Sequence, residues 1–196
     1  MEYRDDDQRW LAFQQGDERA FRQLYQAHFR PLMNYGLRFV NSAAVVEDGI
    51  QDLFLELWQY RQGLARPQSV RFYLLRGLRN RLAAYLREAL RLEEVPFGET
   101  AYPFALEASS EQRWIDLDVD ESRRQRIRMA LDQLTPRQRE IIYLRYFNDL
   151  SYEQICDLLG INYQSARSQV YQAVKLLRQR LGPEYFGVLM GWVLQS

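Results

Sequence analysis

The sequence predicts an all-α protein built from two small helical domains joined by an acidic flexible linker, and three observations carry that expectation. Outside residues 88–120, apolar side chains recur at the three- and four-residue spacing of amphipathic helices. No stretch alternates apolar and polar residues as a half-buried strand does. Helix starts are written out explicitly, with Ser, Thr or Asn placed just before a periodic segment. A chain of 196 residues is long enough for each half to bury its own core.

In chain order, the first unit spans 8–90, with helices expected near 8–15, 17–40, 43–61 and 68–90. Pro31 is expected to bend the second of these. In "EDGIQDLFLELW", Ile50, Leu53, Phe54, Leu57 and Trp58 form a buried stripe. Leu74, Leu75, Leu78, Leu82 and Leu86 do the same in "VRFYLLRGLRNRLAAYLR". Residues 91–118 mix acids with Pro, Gly and Ser and predict a linker with little structure of its own. The second unit spans 119–182, with helices near 120–134, 136–147, 152–159 and 163–181. "TPRQ" reads as a capping box around Thr135 and Gln138, with Pro136 at the first helical position, and "SYEQ" repeats the box with Ser151 and Gln154. Gly160 supplies a turn, and Asn162 can cap the last long helix. The apolar tail, 183–196, is expected to form a short helix whose partner the sequence does not reveal.

Composition narrows the functional classes. With 47% apolar and 27% charged residues the chain reads as a soluble globular protein. No apolar run approaches the roughly 20 residues that span a bilayer, so no direct membrane insertion is expected. The acidic start "MEYRDDDQRW" has no apolar core of a secretory leader, which points to the cytoplasm. Cys156 is the single cysteine and His28 the single histidine, too few for a disulfide or a Cys/His zinc cluster. No cofactor, metal or small-molecule substrate is expected, and no catalytic cluster suggests an enzyme. Formal net charge is zero, but residues 87–120 hold nine acids against three arginines, while residues 121–183 hold eleven basic residues against six acids. A basic C-terminal unit is the electrostatic footprint of a nucleic-acid partner.

Three polar faces stand out. On the last long helix, Ala166, Val170, Ala173, Val174 and Leu177 lie on one side. Gln164, Arg167, Ser168, Tyr171, Gln172, Lys175 and Arg178 fall on the other side. A short helix, a glycine turn and a longer helix with such a face make a helix-turn-helix, whose second helix enters the major groove. Gln and Arg pair bidentately with base edges there. On the helix of "EDGIQDLFLELW", the outward face holds Asp48, Gln51, Asp52 and Leu55, a pattern that suits either a docking surface for a basic protein partner or a solvated helix with one exposed leucine. On the following helix, Tyr73, Arg76 and Asn80 face outward with Arg79 and Arg81 at the edges. Cations for phosphate and rings for unpaired bases resemble a single-strand platform more than a groove reader, with a basic helix solvated by water as the alternative.

Together the two ends resemble the bacterial extracytoplasmic-function (ECF) RNA polymerase sigma factors that contain sigma regions 2 and 4. The region 2 likeness rests on "GDERAFRQLYQAHF", "VEDGIQDLFLELWQYR" and "FYLLRGLRNRLAAYLR", and the region 4 likeness on "LDQLTPRQREIIYLRYFNDLSYEQICDLLGINYQSARSQVYQAVKLLR". "GINYQSAR" is similar to the wording found in Bacteroidetes-type members. The resemblance implies a region 2 helical bundle and a region 4 four-helix domain. It further implies a protein that binds core RNA polymerase and promoter DNA and opens the duplex without catalysis, with an anti-sigma factor as a further partner. Asp48, Gln51, Asp52 and Leu55 would dock on the clamp helices of the polymerase. Tyr73, Arg76, Arg79, Asn80 and Arg81, with the loop Arg61 to Arg71, would engage the −10 element and capture an extruded base. Gln164, Ser165, Arg167, Ser168, Tyr171, Gln172 and Lys175 would read the −35 element, and the linker would thread the RNA channel. The alternative is a dimeric helix-turn-helix regulator that binds operator DNA without being a sigma subunit. Gly49, Cys156 and Ala166 depart from the family pattern at packing positions.

Overall fold

The computed structural model describes the backbone of residues 2–89, 102–105 and 121–194, and the side chains of 6–89, 102–105 and 125–182. Every regular element among them is helical. The chain divides into two compact units, Met1–Leu92 and Glu93–Ser196.

The first unit contains α1 (Glu2–Gln14), α2 (Glu18–Phe39), α3 (Ala43–Tyr60), a single 3-10 turn (Arg61–Gly63) and α4 (Val70–Ala89). The chain leaves α1 through Gly16, whose φ of 90° only glycine adopts cheaply, and Asp17 then caps α2 by accepting from the backbone N–H groups of Arg19 and Ala20. α2 runs through Pro31 as one helix, so the expected bend does not end it. Its amphipathic stripe offsets the one missing backbone donor. Ser42 caps α3 and Ser69 accepts from Phe72 N–H at the start of α4. The core is Trp10, Phe13, Leu32, Tyr35, Ile50, Leu74, Leu75, Leu78 and Leu82, all essentially without solvent contact. Trp58, placed in the buried stripe by its spacing, is half-buried and packs its ring against Phe13 and Phe21. At Gly36 a Cβ would stand 2.3 Å from a Val46 methyl, so α2 and α3 approach closely only because that side chain is absent. His28 is buried and pairs through Nε2 with Asp6 Oδ2 at 2.8 Å, which ties α1 to α2.

The second unit contains α5 (Glu121–Asp132), α6 (Pro136–Ile142) running into a π-helical turn (Tyr143–Phe147), α7 (Tyr152–Leu159) and α8 (Tyr163–Leu194). Both predicted capping boxes are present, with Thr135 and Gln138 at α6 and Ser151 and Gln154 at α7. Arginines hold the opposite helix ends. Arg139 donates to the carbonyls of Leu131, Leu134 and Asp132 at the end of α5, and Arg137 donates to Leu159 O at the end of α7. Arg145 donates to Leu150 O. α8 is not one straight helix. At Gly182 the backbone turns out of helical geometry (φ 70°, ψ 171°) and the tail resumes as helix beyond it.

Most of the predicted linker lies outside the described residues. Within it, Tyr102 and Phe104 are buried in the second unit, the Phe104 ring centroid 5.7 Å from that of Tyr143. At least this part of the segment is held rather than merely solvated.

Candidate nucleic-acid interface

The helix-turn-helix is α7, the turn at Gly160 and the first turns of α8. Gly160 takes the left-handed conformation (φ 64°), which lets Ile161 N–H reach back to Cys156 O. Asn162 Oδ1 then accepts from Ser165 N–H at 2.8 Å and starts α8. Ala166, Val170, Ala173 and Leu177 are buried on one side of α8, with Val174 half-buried beside them. Gln164, Arg167, Ser168, Tyr171, Gln172 and Lys175 are exposed on the other, and Ser165 is half-exposed at its edge. All seven predicted reading residues therefore share one solvent-facing surface. Tyr171 exposes 66% of its area, a large apolar ring left open to solvent among the described residues.

Sequence reasoning missed the residues that surround Arg167. Its guanidinium lies 6.0 Å from the Tyr163 ring, which meets Tyr152 edge-on at 5.5 Å, and Arg145 lies 5.3 Å from Tyr152. Cation and ring thus alternate from the turn before α7 to the first turns of α8. The signal was present as Tyr at both first helical positions, but spacing alone does not show that two helices bring them together. Cys156, on the same short helix, is half-buried. Burial and then the Glu153 charge push its thiol above the ordinary 9.0, which disfavours the reactive thiolate.

In the first unit, Asp48, Gln51 and Asp52 are exposed on α3 around Leu55, itself 66% exposed. Glu47 joins this face, accepting a hydrogen bond from Gln51. The predicted −10 residues on α4 separate into two groups. Arg76 and Asn80 are exposed one turn apart, with Tyr73 half-buried behind them. Arg79 does not lie on this surface: only 2% exposed, it turns inward to the face of Phe39, 5.5 Å from the ring centroid. Arg81 is half-buried, donates to Gly77 O and pairs with Glu56 of α3. At 100° per residue, positions 79 and 81 flank the outward face, and the neighbouring helices claim both. Among the described residues, no group of three or more His, Cys, Asp or Glu could hold a metal ion, and no helix is long and apolar enough to cross a membrane.

The two units correspond to two family models: residues 24–91 match Sigma-70 region 2 and residues 124–177 match Sigma-70 region 4. The chain is 32% identical over 163 residues to the ECF RNA polymerase sigma factor SigL of Mycobacterium tuberculosis, covering 82% of this chain and 88% of that one. It is 30% identical over 170 residues to RNA polymerase sigma factor CarQ of Myxococcus xanthus, covering 87% and 94%. Among solved structures it is similar in fold to the sigma factor RpoE, in complex with the anti-sigma factor NepR, from Bartonella quintana. There the TM-score is 0.56 at 20% identity, over 84% of this chain and 98% of that one. The chain belongs to the ECF RNA polymerase sigma factors. It binds core RNA polymerase and promoter DNA and directs transcription initiation. The presence of region 2 beside the helix-turn-helix disfavours a free-standing operator-binding regulator.

Proposed function

We propose that the work of initiation is divided among the three exposed faces. Asp48, Gln51, Asp52 and Leu55, with Glu47, form the polymerase-docking face on α3. Arg76, Asn80 and Tyr73, with the loop after the 3-10 turn, engage the single-stranded −10 element. Arg79 and Arg81 fit a supporting role better than direct contact, because Arg79 is buried and Arg81 is paired. Gln164, Ser165, Arg167, Ser168, Tyr171, Gln172 and Lys175 read the −35 element in the major groove. The protein acts in the cytoplasm, catalyses no reaction itself, and is held in check by an anti-sigma factor, as the RpoE relative is seen bound to one.

The observation that carries this reading is the surface of α8. An exposed run of amide, hydroxyl, guanidinium and phenol groups sits on a helix whose opposite side buries Ala166, Val170, Ala173 and Leu177. The test is a gel-shift or anisotropy series with the full chain and core polymerase on promoters mutated at each −35 position. Base-specific losses on changing Arg167 or Gln164 support direct reading. Uniform losses on every sequence would reduce these residues to phosphate contacts.

A further inference from the structure

The loop between α3 and α4 is the part of the −10 surface that regular structure does not hold, yet it is not left to itself. Three contacts reach it, or the surface beside it, from α1. The Gln14 amide donates to the carbonyl of Leu64, 50 residues on. The carboxylate of Asp7 pairs with Arg66 Nη2 at 2.7 Å, 59 residues on. The Trp10 ring, 1% exposed, meets the edge of Tyr73 at 5.4 Å between centroids. α1 is itself anchored beneath these contacts. Asp6 bonds to buried His28 on α2, Arg9 pairs with Asp6 at 3.1 Å, and Phe13 stacks on Phe21. Spaced at 7, 10 and 14, the three reaching residues follow the three- and four-residue repeat that puts side chains on one helix face.

We propose that α1 is a positioning element for the −10 loop: Asp7 and Gln14 clasp Arg66 and the Leu64 backbone while Trp10 braces Tyr73, so that the loop meets unpaired DNA already shaped. The inference rests on the assignment of this loop and α4 to the −10 element. Its physical logic is preorganisation. A loop ordered before binding does not lose that conformational freedom when it captures a base, and a fixed pocket discriminates between bases more sharply than a mobile one. None of the three α1 side chains needs to touch DNA.

The test uses holoenzyme assembled from the full chain and core polymerase, transcribing a promoter library with all four bases at each −10 position. An Asp7→Ala, Gln14→Glu double variant removes the surface ion pair and replaces the amide donor with an acceptor of the same shape. The preference for the best base should fall about two- to five-fold, the range expected for partly exposed polar contacts. Polymerase affinity and binding to isolated −35 duplex should stay unchanged. Asp7→Glu, which can still reach Arg66, should keep the wild-type preference. A double variant with unaltered base preference, alongside an Asn80→Ala control that loses it, would overturn the clasp and leave the −10 assignment standing. If Asn80→Ala and an alanine-substituted loop 64–68 were also without effect, the −10 assignment would fall first and the clasp with it. A loss shared equally by −10 recognition, −35 binding and polymerase affinity would mark general unfolding and would likewise overturn the proposal.

Discussion

Leu55 is an apolar side chain with 66% of its surface in water, framed by carboxylates that would ordinarily be enough for solubility. Its burial against a partner is what makes the arrangement sensible, since a central apolar anchor ringed by polar groups is how interface hot spots are built. Leu55→Glu should weaken core-polymerase binding by about ten-fold or more, read by native-gel or anisotropy titration, while isolated −35 binding is preserved. Arg167→Ala should cost about 1 to 3 kcal/mol in −35 binding and relax preference at one base pair, measured across a set of single-base promoter variants. At this scale the sequence was legible wherever one helix decides exposure alone: Gln164, Arg167, Ser168, Tyr171, Gln172 and Lys175 on α8 and the α3 face are exposed where their periodicity placed them. It was not legible where a second helix decides. Arg79 and Arg81 are as basic as Arg76, and only the nearness of Phe39 and Glu56 turns them inward.

At the scale of elements, the punctuation of the second unit is local chemistry and could be read directly. A capping box needs only residues three apart, so Thr135–Gln138 and Ser151–Gln154 were visible before any tertiary contact was known. Ser151→Ala should cost about 1 kcal/mol of stability in urea unfolding and weaken −35 binding in parallel, because α7 supports the recognition helix. In the first unit Gly49 sits inside α3, and a Cβ there would meet Leu78 at 3.4 Å, ordinary contact. Gly49→Ala should therefore stabilise the fold by about 0.5 to 1 kcal/mol in the same assay. The α1–α2 pairing gives a pH signature. Burial of Asp6 alone would raise its pKa, but the His28 hydrogen bond and charge, then Arg9, outweigh it and hold the carboxyl below its ordinary 3.8. A depressed carboxylate contributes stability above its unfolded pKa and loses it as pH falls through the folded value. Acid titration of stability should show wild type losing its advantage over Asp6→Asn below about pH 4, and an advantage that persists to pH 2 would contradict the assignment. None of this was visible in the sequence, because Asp6 and His28 are 22 residues apart on different helices.

At the scale of the whole molecule, a net charge of zero conceals a division of labour. Acids crowd the connector and the outward face of α3, and arginines crowd the C-terminal unit. The basic surplus predicted a nucleic-acid partner, but part of it serves the fold: Arg137, Arg139 and Arg145 hold backbone carbonyls at helix ends and turns. The proposed −35 surface accordingly rests on the particular groups on α8 rather than on charge alone. In the proposed division of roles, docking and −10 capture fall to the first unit and −35 reading to the second, so no single face specifies the function, whereas their order along the chain does.

The most direct test of that combination is run-off transcription by core polymerase, with and without the protein, on fragmented genomic DNA, followed by mapping of the RNA 5′ ends. New start sites should appear only with the protein, preceded by two shared sequence elements at −10 and −35 spacing. Leu55→Glu should abolish them, and Arg167→Ala should redistribute them among −35 variants. Tight binding of the purified protein to duplex DNA, with no association with core polymerase and no new 5′ ends, would contradict the account.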